Sequence, residues 1–278
     1  MSKAIVLCAD DYALSIPVSR AILDLAANRR ISALSCMTAS ALWPVHGPWL
    51  AEVRGNVDIG LHITLVDERP LTAMPKTAPG GKLPGIAAMI RKSCLGQLDL
   101  AEIEREIRAQ LRAFTAVTGA SPQHLDGHLH THVLPGIRDV VLKIAGEITP
   151  RPWLRNISDR FSVILKRGVA VPKAAFLSAL GQGFARADAP MNDGFSGVYG
   201  LSPTDGEYGA LFEHFIADTA QRHLILCHPG TAEDNVAHAD GRASEYAYLK
   251  SPAFLAALAR RDLRVGRFAE TLSSKALA

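Results

Sequence analysis

The sequence predicts a single-domain α/β fold built on a parallel sheet, and three observations carry that reading. Short apolar runs alternate with longer stretches of helical periodicity along all 278 residues. About seven such runs are separated by helices, as parallel strands with crossover connections require. No internal repeat, low-complexity tract or linker divides them. The chain exceeds the ~150 residues usual for one domain, but α/β barrels reach ~250 as one unit. An open doubly wound sheet is the alternative to a barrel.

The elements follow in order. "KAIVLCA" (3–9) reads as a buried strand ending at Asp10 and Asp11. Ser15 caps a helix with Pro17 in its first turn and Val18, Ala21, Ile22 and Leu25 as its apolar stripe. "ALSCMT" (33–38) and "VDIGLHITL" (57–65) are the next strands. Residues 66–98 carry Pro70, Pro75, Pro79 and Pro84 with Gly80-Gly81, so an irregular insertion is expected there, of the kind that often shapes a binding site. Asp99 and Glu102 open a helix with Ile103, Ile107, Leu111 and Phe114 on one face, and Gly119 stops it. "QHLDGHLH" is the next strand, followed by a helix across 136–147 and a strand in "PWLRNI" (152–157). A helix near 171–187 leads to strand-like "APMNDGF" (189–195), and a helix over 204–220 precedes the strand in "RHLILCHPG" (222–230). A helix near 252–260, "LRVGRF" (263–268) and a short helix close the chain.

Composition narrows the function classes. Hydrophobic residues make up 48% and charged residues 21%, ordinary for a soluble enzyme with a large core. The net charge of +3 comes from scattered Lys and Arg, so no clustered nucleic-acid footprint is present. The N-terminal apolar stretch "AIVLCA" falls short of the roughly 7–15 residues of a signal-peptide core, and no run approaches the ~18–20 of a membrane span. Cys8, Cys36, Cys94 and Cys227 form no CxxC pair, and three lie in strand-like runs where buried free thiols are expected. A soluble, reduced, cytoplasmic protein is the expectation. Nothing marks an oligomeric state, and a homodimer is left open.

Polar clusters sit just after several apolar runs: Asp10-Asp11, His62, the stretch 124–132 and His228. Side chains at the carboxyl ends of parallel strands converge on one face, where α/β barrels build their sites. Adjacent acids there also cap helices, but one can ligate a divalent metal while the other acts as base, provided the turn after Asp11 brings both to one place. His62, between apolar neighbours, reads as a ligand by its matching strand-end position. His228 in "LILCHPG" reads as a proton donor, for which its surroundings would have to keep it protonated near neutral pH.

"HLDGHLHTHVLP" (124–135) holds four histidines and one aspartate at even positions. A continuous strand would point them to one face, yet at ~3.3 Å per residue positions 124 and 132 would lie ~26 Å apart. One metal cannot gather all five. One or two are ligands, the others contact substrate or support, and Asp126 is placed to orient an imidazole. Gly127 marks a bend or a close backbone approach. No GxSxG elbow or GxxxxGK[ST] loop occurs, and "ALGQGFA" (179–185) is too weak to suggest a dinucleotide site.

Together these residues resemble the YdjC-like carbohydrate deacetylases, a family that includes chitooligosaccharide deacetylases and hopanoid-biosynthesis-associated HpnK proteins. The likeness runs through "ADDYALS" (9–15), "GLHITL" (60–65), "HLDGHLHTHVLP", "LCHPG" (226–230) and "RASEYAYLKSP" (242–252). Ala13 replaces a usual glycine, a departure that could alter the turn after the aspartates, and Gly127 replaces a frequent serine. The resemblance implies a distorted, mostly parallel, TIM-like (β/α) barrel with one divalent metal, Zn²⁺ or Mg²⁺. Its ligands would be Asp11, His62 and His128, with Asp10 as base and His228 as acid. Asp126, His130, His132 and Tyr12 would contact substrate or support the ligands. Tyr12, Trp43, Phe195 and Tyr199 are candidates for stacking on a sugar. The implied activity is removal of the N-acetyl group from an amino sugar in a chitooligosaccharide or related glycan or glycolipid. The alternatives are another metal-dependent amidohydrolase or phosphoesterase, and a non-catalytic carbohydrate- or metal-binding protein. Amidohydrolase barrels usually place His-x-His on the first strand, where this chain has Asp-Asp.

Overall fold

The computed structural model describes residues 2–202, 207–233 and 235–272. Eight strands are present: β1 (Lys3–Tyr12), β2 (Ala33–Cys36), β3 (Asp58–Ile63), β4 (His124–Gly127), β5 (Trp153–Leu154), β6 (Gly194–Ser196), β7 (His223–Cys227) and β8 (Leu263–Val265). All pairings are parallel, in the order β5-β4-β3-β2-β1-β7-β6, with β8 added along the start of β1. Read around, the strands are sequential without the reversal that marks a doubly wound sheet. The two ends approach each other, because Leu154 of β5 bridges Met191 just ahead of β6. The sheet is therefore curled into a distorted barrel flanked by helices, and the open-sheet alternative fails.

The central strand, β1, is almost wholly buried, as a parallel strand covered on both faces must be. The helix Ile16–Ala27 packs its stripe of Val18, Ala21, Ile22 and Leu25 inward, with Ser15 Oγ accepting from Val18 N–H at 3.2 Å. The helix Leu100–Thr118 is capped by Asp99 and ends on left-handed Gly119 (φ 68°).

Several elements differ from expectation. The strand in "PWLRNI" is only two residues long, and the one in "APMNDGF" starts at Gly194. The insertion contains a helix, Ile86–Cys94. Helices Phe161–Arg167 and Ala239–Lys250 carry too little apolar periodicity to be legible in sequence. The expected 204–220 helix spans Tyr208–Phe215, and residues 204–206 of that segment lie outside the described residues.

Inside the barrel, alternate positions bring Cys8 and Asp10, Ser35, Gly60 and His62, and His124 and Asp126 toward one another. Ser35 aligns with Gly60 and His62 with Asp126. Barrel interiors are usually filled by branched apolar side chains. Here the layers are polar. Gly60 is required, since a Cβ there would lie 2.2 Å from His124 Nε2.

Candidate active site

Regular alternation would send Asp10 and Asp11 to opposite faces. A left-handed backbone at Asp11 (φ 68°) and Ala13 (φ 74°) breaks it, so both carboxylates line one cavity of about 760 Å³. Each such non-glycine residue costs roughly 1–2 kcal/mol, and the strain is tolerated where surrounding contacts hold it. Ala13 N–H donates to Ser19 Oγ at 3.0 Å, and Leu14 N–H to the Asp11 carbonyl at 2.9 Å. Ala13 thus takes a left-handed conformation of the kind that favours glycine.

Asp11 meets two histidines. His128 Nδ1 lies 2.9 Å from its Oδ1, and His62 Nε2 lies 3.4 Å from the same oxygen. One donor atom from each residue falls within 4.8 Å of the others. Ligand distances of ~2.0–2.1 Å in a tetrahedral site put neighbouring donors ~3.3 Å apart, so this set fits a divalent ion with room for further ligands. Arg242 Nη2 donates to Asp11 Oδ2 at 2.6 Å, which leaves Oδ1 facing the histidines. Burial raises the Asp11 carboxyl, but His128 and Arg242 outweigh it and hold the group well below the carboxylate range.

Asp126 orients His62, accepting from Nδ1–H at 2.7 Å so that Nε2 turns toward Asp11. Burial opposes a charge on His62, yet Asp126 and Asp10 carry its pKa up to about 10. Behind this pair lies Arg155, fully buried. Its guanidinium donates to both oxygens of Asp10, at 2.6 Å each, and approaches Asp126 Oδ2 at 2.5 Å and Cys8 Sγ at 3.1 Å. Ser35 Oγ donates to Asp126 Oδ2 at 2.6 Å. Arg155 was not among the residues expected at the site. Its signal was a polar residue following an apolar strand-like run, as for His62 and His228.

The histidine-rich stretch does not remain a strand. It leaves β4 at Gly127 and enters a tight turn over 128–133, with Leu129 (φ 49°) and His130 (φ 61°) left-handed. A Cβ on Gly127 would lie 2.9 Å from the His132 backbone nitrogen, so a residue without a side chain sits there. His128 and His130 line the cavity, His130 edge-on to Phe195 and kept neutral by burial. His132 does not line it. That ring is buried and its Nε2–H donates to the Arg155 carbonyl at 2.9 Å, so it holds the loop that carries Arg155. His124 stacks on Trp153, centroids 4.2 Å apart.

Three expectations need correction. Tyr12 does not line the cavity: it is buried, and its hydroxyl donates to the His46 carbonyl at 2.6 Å. Trp43 is buried against Phe114, and Phe195 backs His130, so of the four aromatic candidates only Tyr199 lines the cavity. His228 does line it, with its side chain 19% exposed, but burial pushes its pKa down to about 4 even with Asp11 and Asp10 nearby. Its surroundings keep it neutral rather than protonated. From the insertion, Asp67, Glu68, Ile86 and Ile90 reach the cavity wall.

Fold and site define an α/β barrel with a compact Asp-His-His cluster at its strand ends that could hold a metal ion, beside a second carboxylate and a histidine. The chain belongs to the YdjC-like family, whose model, described as YdjC-like protein, matches residues 4–260. Chitooligosaccharide deacetylases of Yersinia pestis (strain Pestoides F) and Yersinia pseudotuberculosis serotype O:1b (strain IP 31758) are each 30% identical over 272 residues. The match covers 96% of this chain and 99% of each relative. A crystal structure from Enterococcus faecalis V583, named for cellobiose-phosphate cleavage, shares the fold. Its TM-score is 0.70 at 18% identity, over 97% of this chain and 98% of that one.

Proposed function

We propose that this protein is a metal-dependent deacetylase that hydrolyses the N-acetyl group of an amino sugar, in a chitooligosaccharide or a related glycan or glycolipid. The observation that carries the reading is the Asp11, His62 and His128 donor set opening into a cavity that Asp10 and His228 also face. The names of the Yersinia relatives support it. Asp11, His62 and His128 would hold one divalent ion; two imidazoles and a carboxylate suit Zn²⁺, and Mg²⁺ is the alternative. Bound there, the ion supplies Lewis-acid polarisation of the acetamide carbonyl and a more acidic water.

The chain's own groups do the rest. Arg155 ties both Asp10 oxygens, so Asp10 is aimed and held while it takes a proton from the attacking water. His228 Nε2 stands 4.0 Å from Asp10 Oδ2 and lines the same cavity. Because His228 is neutral, the proton it delivers to the sugar nitrogen is the one Asp10 takes from the attacking water, passed to Nε2 within the same turnover. As the carbon–nitrogen bond breaks, the nitrogen leaves as an amine and the acyl group as acetate. Residues of the 66–98 insertion wall the substrate on one side.

The test is acetate release from N,N'-diacetylchitobiose and a panel of acetylated glycans and glycolipids with defined metals. Wild type should release acetate, and Asp10→Asn should lose at least about 100-fold in kcat. If wild type binds metal yet is inactive across the panel, the chain is a binding protein and the reading fails.

A further inference from the structure

Glu245 lies outside the ligand set and the groups assigned to proton transfer. It sits on the helix Ala239–Lys250, fully buried, and among the described residues no lysine or arginine forms an ion pair with it. Two bonds hold its carboxylate. The His228 backbone N–H donates to Oε2 at 2.6 Å, and the Tyr199 hydroxyl donates to Oε1 at 2.5 Å. Thus fixed, Oε1 faces His228 Nδ1 at 4.0 Å, while on the other side of the ring Nε2 faces Asp10 Oδ2, also at 4.0 Å. Nδ1 is a buried polar atom without a hydrogen-bond partner among the described residues.

We propose that Glu245 is the positioning residue of His228: it keeps the proton on Nδ1, turns the Nε2 lone pair toward Asp10 and the reacting centre, and stabilises the imidazolium once Nε2 takes a proton. Two carboxylates stand 4.0 Å from the ring, but Arg155 already pairs both oxygens of Asp10, so Glu245 is the one that draws the ring N–H to its side. The kinetic part rests on the deacetylase reading; the tautomer does not. Burial pushes the Glu245 carboxyl up to about 7 even against the Tyr199 hydroxyl and the His228 N–H, so its two hydrogen bonds do not fully offset the cost of placing it there.

The groups facing this pair come from every packed element. Around His228 they are Asp10 and Asp11 of β1, Arg155 after β5, and Arg242 and Glu245 of the helix. Around Glu245 they are Tyr199, Tyr208, Cys227, Arg242 and Asp10. None is altered by Glu245→Gln. The amide keeps an acceptor for the His228 N–H, but its NH₂ would face Nδ1 as a donor and so favour the opposite tautomer.

The experiment uses ¹⁵N-labelled full-length protein without added metal, with imidazole nitrogens observed by long-range ¹H–¹⁵N correlation and the His228 signals identified by loss in His228→Asn. Wild type should show Nδ1 protonated and Nε2 bare, and Glu245→Gln should reverse or mix the two. In acetate release, Glu245→Gln should lose about 100-fold or more in kcat with KM within about twofold, and Tyr199→Phe should lose less. A bare Nδ1 in wild type, or a tautomer indifferent to Glu245→Gln, overturns the proposal. So does an unchanged kcat in an active enzyme. If wild type releases no acetate at all, the deacetylase reading fails, while the tautomer measurement still decides the role of Glu245.

Discussion

Replacing Arg155 by Met tests how the barrel floor is held together. Methionine has similar reach and no charge, so the change removes the guanidinium that serves both Asp10 oxygens and Asp126. Removing one partner of a buried ion pair costs about 3–5 kcal/mol, because the other charge is stranded. His62 still serves Asp126 at 2.7 Å, so the stranded charge is chiefly Asp10. At roughly 2–4 °C per kcal/mol for chains of this size, the melting temperature should fall by about 6–20 °C. The pH dependence has a definite sign. Burial raises the Asp126 carboxyl, but Arg155 and His62 hold it well below the carboxylate range. A depressed carboxylate contributes stability above its unfolded pKa and loses it as pH falls through the folded one. Without Arg155 only His62 holds the Asp126 carboxyl down, so its folded pKa rises and its protonation relieves that part of the lost ion pairing. The deficit should be full near neutral pH and shrink on acidification toward about pH 4. Thermal unfolding by circular dichroism, with chelator present, measures this. A melting temperature within the scatter of wild type near neutral pH, or a gap that widens on acidification, would refute the reasoning.

Two further outcomes follow from the ligand set. His128→Ala should leave the fold intact, because that ring sits at the cavity edge, and should reduce bound Zn²⁺ from about one per chain to none by calorimetry and elemental analysis. Asp126→Asn should weaken metal binding by about 10–100-fold through the lost orientation of His62, read by competition with a chromogenic chelator.

The strand-end positions of Asp10, His62, Asp126 and His228 were legible because apolar runs ending in polar residues mark the convergent face of a parallel barrel. The bend at Gly127 was legible as a glycine, but its cause was not, since the contact is with the backbone of His132 five residues on. Tyr12 misled because its neighbours are site residues, while the left-handed turn at Asp11 sends its ring into the core. The charge on His228 depends on its burial and on Asp11 and Asp10, more than two hundred residues away in the chain. Glu245 lay within the family-like stretch 242–252, where its one physical cue was the helical spacing from Arg242, three positions earlier. That spacing places both on one helix face but says nothing of what the face meets.

Arg155 also bears on which chemistry the floor can serve. Asp10, His62 and Asp126 form a second group close enough to share a cation, next to the Asp11, His62 and His128 set. Two-metal sites hold their ions ~3.5–4 Å apart and use both for attack and departure. Here the cation between Asp10 and Asp126 is already supplied by a side chain, tethered through its carbonyl to His132. A second ion would have to displace a guanidinium held by five contacts to four residues, Asp10, Asp126, Cys8 and Ser35. That argues against the binuclear amidohydrolase and phosphoesterase alternatives. It also fits the proposed division of roles, in which Asp11 would bind the ion and Asp10, held by Arg155, would take the proton.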